Sequence, residues 1–116
     1  MAVRLTSGEA LRLWHSVHLN FVRGHEPDLS ARQMAILLTV YLEAPPHTVR
    51  GLAGRLRVSK PVITRALDSM GKHNLVTRRR DEHDRRNVLI HRTVGGALYL
   101  ERLGDTVRDL AQQIRS

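Results

Sequence analysis

The chain has 116 residues, 41% of them hydrophobic and 3% aromatic, and a formal net charge of +8. That balance is too apolar for a disordered tail, too poor in rings for a stacking platform on single strands, and long enough for one domain over residues 1–116. The absence of cysteine excludes disulfides, thiolate nucleophiles and Cys-ligated zinc, and the longest apolar run, Met34 to Leu38, is far too short to span a membrane.

The first predicted helix runs from about Ser7 to Arg23. Thr6 and Glu9 form a Thr-x-x-Glu capping box, and Ala10, Leu13, Trp14, Val17 and Phe21 recur on one face. Gly24, Pro27 and Asp28 break it. A second capping box, Ser30 and Gln33, opens the next helix, with Leu29 and Met34 placed for a hydrophobic staple. Its inner face is expected to be Met34, Leu37, Leu38 and Tyr41, and Ala44-Pro45-Pro46 ends it.

Thr48 caps a third helix with Val49, Leu52, Ala53 and Leu56 inward. A short turn at Arg57-Val58 leads to Ser59, an expected N-cap, with Pro61 in the first turn of a fourth helix. Ile63, Ala66, Leu67 and Met70 form its inner face, and Asn74 supplies a left-handed stop. So brief a turn between two short helices predicts a helix-turn-helix. Its second helix would expose Ser59, Lys60, Val62, Thr64, Arg65, Asp68 and Ser69, a set of small polar groups with an arginine that suits the major groove.

Short strands are expected at Val76–Arg78 and Val88–Ile90. The segment between them, Arg79 to Arg86, contains no apolar residue. A hairpin with a charged tip after a recognition-type helix is a wing. Arg85 and Arg86 suit the minor groove, and Asp84 suits a fork-type brace for an arginine. The last helix is predicted from about Thr93 to the end. Leu100, Leu103, Val107, Leu110 and Ile114 step by three and four residues, the seam of a coiled coil. About 22 residues at ~1.5 Å each make a rod near 33 Å, longer than this core can cover, so a partner chain is expected there. The pair Gly95-Gly96 is expected to weaken the helix's first turn.

Charge is concentrated. Residues 50–92 hold twelve bases and four acids, a difference equal to the whole net charge, while the flanks hold seven of each and cancel. A neutral body with one basic segment is the footprint of a polyanion binder.

These motifs together resemble the MarR family of winged-helix transcription regulators over about Leu29 to Leu103. The resemblance is carried by Leu52-Ala53 through Val58-Ser59-Lys60-Pro61 to Thr64-Arg65, by Leu75-Val76-Thr77-Arg78-Arg79, and by Asp84-Arg85-Arg86-Asn87-Val88. It implies a mainly α fold with a small β-wing (α+β), a DNA-binding core at about 29–92, and dimerisation helices at about 7–23 and 93–116. It also implies a homodimer on a pseudo-palindromic double-stranded operator, most simply as a repressor. Ser59, Lys60, Pro61, Thr64 and Arg65 would enter the major groove. Arg79, Arg80, Asp84, Arg85 and Arg86 would serve the wing, with Arg85 or Arg86 in the minor groove. Leu13, Trp14 and Val17 would join Leu100, Leu103, Val107, Leu110 and Ile114 at the dimer interface. The family usually carries a further helix after the one starting near Thr93, whereas this sequence stops at Ser116, so a smaller or differently built dimer is expected. Many members respond to small phenolic ligands. No pocket signature marks one here, so no cofactor is assigned and an effector stays open. The expected location is the cytoplasm.

Rival readings are weaker. No nucleophile motif or Gly-rich phosphate loop is assembled, which argues against an enzyme. His15 and His18, one turn apart, could share a zinc ion with His25 or Glu26 in a metal-responsive regulator. A winged helix used only for protein contact would not need so basic a wing.

Overall fold

The structure is a computed structural model that describes residues 3–114. In chain order it contains α1 (Ser7–Arg23), α2 (Ala31–Leu42), β1 (His47–Thr48), α3 (Val49–Leu56), α4 (Lys60–Lys72), β2 (Val76–Arg80), β3 (Val88–Arg92) and α5 (Val94–Gln113). The strands form one antiparallel sheet in the order β1-β3-β2. This is the expected α+β winged helix. Two strand expectations change. Both wing strands run two residues longer than the pattern suggested, so Arg79 and Arg80 lie in β2 rather than at the tip. The two-residue β1, too short to leave any periodicity, extends the sheet through His47 and Thr48 opposite Ile90 and Leu89.

Both capping boxes form. Thr6 Oγ1 accepts the Glu9 amide at 3.1 Å while Glu9 Oε1 accepts the Thr6 amide at 2.9 Å. Ser30 and Gln33 do the same at 3.2 and 2.8 Å. Each box satisfies two amides that a helix start leaves unpaired. Thr48 Oγ1 accepts the Gly51 amide at 2.9 Å.

The chain divides into two compact units, residues 29–100 and the described parts of 1–28 with 101–116. The first unit holds a core drawn from every helix it contains and from the sheet. Ile36, Leu37, Val40, Leu52, Ile63, Leu67 and Met70 are sealed from solvent. Helix α4 buries the four residues its pattern named. Helix α2 does not follow its expected face. Ile36, Leu37 and Val40 are its buried residues, whereas Met34, Leu38 and Tyr41 are half-buried. The run Met34 to Leu38 is apolar on all sides, so periodicity alone could not choose the inward stripe.

Tyr41 has another task. Its hydroxyl lies 2.9 Å from the Leu75 carbonyl and 3.0 Å from that of Thr93, and it accepts the Thr93 amide at 2.9 Å. The hydroxyl thereby joins α2, the start of β2 and the start of α5. This explains Gly95-Gly96. A Cβ on Gly96 would fall 2.2 Å from the Leu75 carbonyl oxygen, and one on Gly95 would fall 2.7 Å from that of Asn74. The glycines therefore permit a close backbone approach. The first turn that they were expected to weaken is capped by Thr93, whose Oγ1 accepts the Gly96 amide at 2.9 Å.

The second unit is formed by α1, the segment that follows it and the later turns of α5. Glu26 Oε1 accepts from Arg102 Nε at 2.6 Å. Among its described residues only Val17 is buried.

Candidate nucleic-acid interface

The helix-turn-helix is α3, Arg57-Val58-Ser59 and α4. The turn is shaped by two hydrogen bonds, from the Arg57 amide to the Gly54 carbonyl and from the Val58 amide to the Ala53 carbonyl. This is the Schellman pattern, and it puts Arg57 in the left-handed region at φ 59°. Glycine would adopt that conformation without strain, so nothing in the local sequence marked it. The same pattern ends α4, where Asn74 at φ 56° follows bonds from Asn74 to Gly71 and from Leu75 to Met70. There the expected asparagine stop is present.

Ser59 takes the N-cap position of α4 but its side chain makes no capping bond. The N2 residue is Pro61, which has no amide to offer, so one of the two usual partners of a cap oxygen is missing. The Ser59 hydroxyl therefore stays uncommitted to the helix. Ser59, Lys60, Pro61, Thr64, Arg65 and Asp68 are exposed together along α4, whereas Val62 and Ser69, also expected outward, are half-buried.

The wing tip spans residues 81–87 and is tied by local bonds. The Asp81 amide donates to the Asn87 carbonyl and the Asn87 amide to the Asp84 carbonyl, both at 3.0 Å. Asp81 Oδ1 accepts the His83 amide at 2.9 Å. Arg80 Nη1 donates to the Arg85 carbonyl. Asp84 grips Arg86 three times. Its Oδ1 accepts the Arg86 amide at 3.1 Å and Nε at 3.0 Å, and its Oδ2 accepts Nη2 at 3.1 Å. The Arg86 hydrogen bond is the main cause that holds the Asp84 carboxyl below its ordinary value and raises the guanidinium in turn. Arg86 nevertheless stays 82% exposed.

The basic segment is therefore not uniform. Arg55 pairs with Glu43 through two bonds of 3.1 and 2.9 Å, which draws the Glu43 carboxyl down and the guanidinium up. Arg92 donates through Nε to the Val40 carbonyl at 2.9 Å and lies over the Tyr41 ring. It caps the end of α2, where carbonyls lack helical partners. Arg78 pairs with Asp68 of α4 at 2.6 Å. The role of Arg92 and the pairing of Arg78 with Asp68 were not marked by spacing, because the partners lie 10 to 52 residues apart. Lys60, Arg65, Arg79 and Arg85, by contrast, have no carboxylate within ion-pair reach among the described residues.

In the other unit, Leu13 is half-buried, Trp14 is 62% exposed and Val17 is 3% exposed. Leu13 and Trp14 thus keep accessible surface, whereas the Val17 side chain, expected at a dimer interface, is already packed within this chain. Leu103, Val107 and Leu110 are half-buried along α5, as are Ile114 just past its end and Leu100, which packs on the 29–100 core. His15 and His18 gather no third ligand, for no cluster of three His, Asp or Glu suited to a metal occurs among the described residues. His18 Nδ1 lies 2.9 Å from the Trp14 carbonyl, its ring stands edge-on to Trp14 and Phe21, and Glu26 is held by Arg102. No helix among the described residues is long and apolar enough to cross a membrane.

Comparison with known proteins adds a family. The model of the MarR family matches residues 29–88, the segment that carries α4, β2 and the wing tip. Among solved structures, a cysteine-to-serine mutant of MarR from E. coli, in complex with operator DNA, is 27% identical with a TM-score of 0.67, covering 92% of this chain and 71% of that one. The transcriptional regulator BldR from Sulfolobus solfataricus is also 27% identical, with a TM-score of 0.63 and coverage of 96% and 85%. A MepR–DNA complex from S. aureus shares the fold at 20% identity, with a TM-score of 0.72 and coverage of 94% and 84%. No curated protein matches the chain.

Proposed function

The chain belongs to the MarR family, and on that premise we propose that it is a sequence-specific regulator that binds double-stranded DNA in the cytoplasm. It acts as a homodimer on a pseudo-palindromic operator, most simply as a repressor. One observation carries this reading. Arg86 is 82% exposed yet fixed by a bidentate carboxylate at the tip of the wing. A guanidinium so fixed has lost its freedom before any ligand arrives, and preorganisation of that kind favours binding. The narrow minor groove attracts such a group.

In this reading Ser59, Lys60, Pro61, Thr64 and Arg65 of α4 enter the major groove. Arg65 reads a base edge, and the uncommitted Ser59 hydroxyl and Lys60 meet phosphates. Arg86 enters the minor groove with Asp84 as its brace, and Arg79, Arg80 and Arg85 add positive potential along the wing. That the E. coli MarR mutant was solved in complex with operator DNA supports the duplex-DNA reading. Two recognition helices about one helical turn apart, ~34 Å, are needed to match a palindrome. Leu13, Trp14, Leu103, Val107, Leu110 and Ile114 provide the apolar surface that joins two copies. No metal or cofactor is required, and any small effector would act on the dimer.

Selection of duplexes from a randomised library by the purified chain tests this. The expected product is an inverted repeat with half-site centres about 10 base pairs apart. Enrichment of single-stranded or RNA competitors over duplex, or of no sequence at all, would refute it.

A further inference from the structure

We propose that the Asp68–Arg78 ion pair is a strut that fixes the wing's attitude to the recognition helix. Asp68 is then a positioning residue that sets sequence discrimination without touching DNA. The inference rests on the duplex-DNA reading above.

The geometry provides the strut. The base of the wing is held by the pairing of β3 with β1 and by Val76 and Ile90 in the core. Arg78 lies two residues beyond Val76, the first residue of β2, and its Nη2 donates to Asp68 Oδ1 at 2.6 Å. That bond adds to the anchored base a direct side-chain tie between β2 and α4, and so restricts the angle between them. The register shows how Arg78 reaches it. Arg78 is opposite Ile90 and Val76 is opposite Arg92, and residues opposite one another in an antiparallel pair share a face. Arg78 thus shares its face with the buried Val76 and Ile90, whereas Arg79 lies on the other face with Thr77. Arg78 is turned toward α4 and Arg79 away from it.

Charge strengthens the case. Asp68 is the one acid in α4, a helix proposed to lie against a polyanion, where an acid lowers affinity for any sequence. It also stands three residues from Arg65, within reach of an i,i+3 ion pair that would occupy the base-reading guanidinium. The bond with Arg78 holds the carboxylate, and Arg65 has no carboxylate within ion-pair reach among the described residues.

Asp68→Asn separates the strut from a bystander acid, because the two predict opposite signs. The probes are a duplex selected by the wild-type chain and a random-sequence duplex of equal length, followed by fluorescence anisotropy. Removing a bystander acid tightens binding to both. Removing the strut weakens the selected duplex about fivefold, the scale of one exposed ion pair, and leaves the random duplex unchanged or tighter. Asp68→Glu, which keeps the charge, should stay within about twofold of wild type. The charge-swapped pair Asp68→Arg with Arg78→Asp should regain most of the lost discrimination at an unchanged melting temperature. Tighter binding of Asp68→Asn to both duplexes overturns the strut and leaves the DNA reading intact. Equal losses on both for Arg78→Ala, with a salt slope lower by about 0.9, would make Arg78 a phosphate ligand and also overturn it. A wild-type chain that selects no duplex overturns both readings together.

Discussion

Residues 29–100 and the unit built from both ends of the chain handle apolar surface in opposite ways. The first closes its own core, and seven of its large side chains are sealed from water. In the second, Val17 alone is buried among the described residues, and Leu11, Trp14 and Val22 remain 69%, 62% and 75% exposed. A core that is complete within one chain is what allows the DNA-reading surface to be polar and preorganised. Apolar helices that stay open are surface that a second copy could cover.

The contrast can be broken at its strongest point by Leu67→Ala. This side chain has 0% exposure at the centre of α4, so truncation should cost about 2–5 kcal/mol in denaturant unfolding. A loss near zero would show that the first core is not close-packed. At the other pole, Val107→Asp puts a carboxylate on the half-buried α5 seam. Desolvating it in an interface is unfavourable, so light scattering should show the proposed dimer replaced by monomer or aggregate, with operator binding lost and the 29–100 fold kept. An unchanged dimer would move the interface elsewhere. Dimer strength is read separately, since assembly on DNA itself would appear as a concentration-dependent Kd.

Two smaller effects sharpen the functional side. Arg65→Ala should cost about 1–3 kcal/mol on the selected duplex and less on random sequence, if the side chain reads a base edge. Equal losses would make it a phosphate ligand. The wing brace depends on pH in a defined direction. The Asp84 carboxyl is held below its ordinary value by its bonds to Arg86. The brace is therefore present through the neutral range, survives as pH falls through the ordinary carboxylate range, and is lost only when pH passes the lowered value. In a carboxyl NMR titration, Asp84 of an Arg86→Ala variant should take up its proton at higher pH than wild type. Coincident midpoints would contradict the brace.

Much of this was legible in the sequence because the interactions involved are local. Capping boxes join residues three apart, the Asp84–Arg86 brace joins residues two apart, and the buried stripe of α4 repeats at three and four. What the sequence concealed is long-range. The Tyr41 hydroxyl meets residues 34 and 52 positions away, and Arg92 caps a helix that ends about 50 residues earlier. Gly95-Gly96, read locally, signals a weak helix start, and only the approach of the Asn74 and Leu75 carbonyls gives the pair its purpose. Arg57 shows the converse: its left-handed conformation is imposed by the turn and contradicts its residue type. In α2 the expected inner face was Met34, Leu37, Leu38 and Tyr41, whereas packing against α3 and α4 buries Ile36, Leu37 and Val40.

Whether α4 and a braced wing read duplex DNA together is decided by the salt dependence of binding by the double variant Arg85→Ala with Arg86→Ala. Titration of the selected duplex at several salt concentrations should show affinity sharply reduced and the slope of log K against log salt lower by about 1 to 2, roughly 0.9 for each phosphate charge that the variant no longer neutralises. Affinity and slope both equal to wild type would contradict the account.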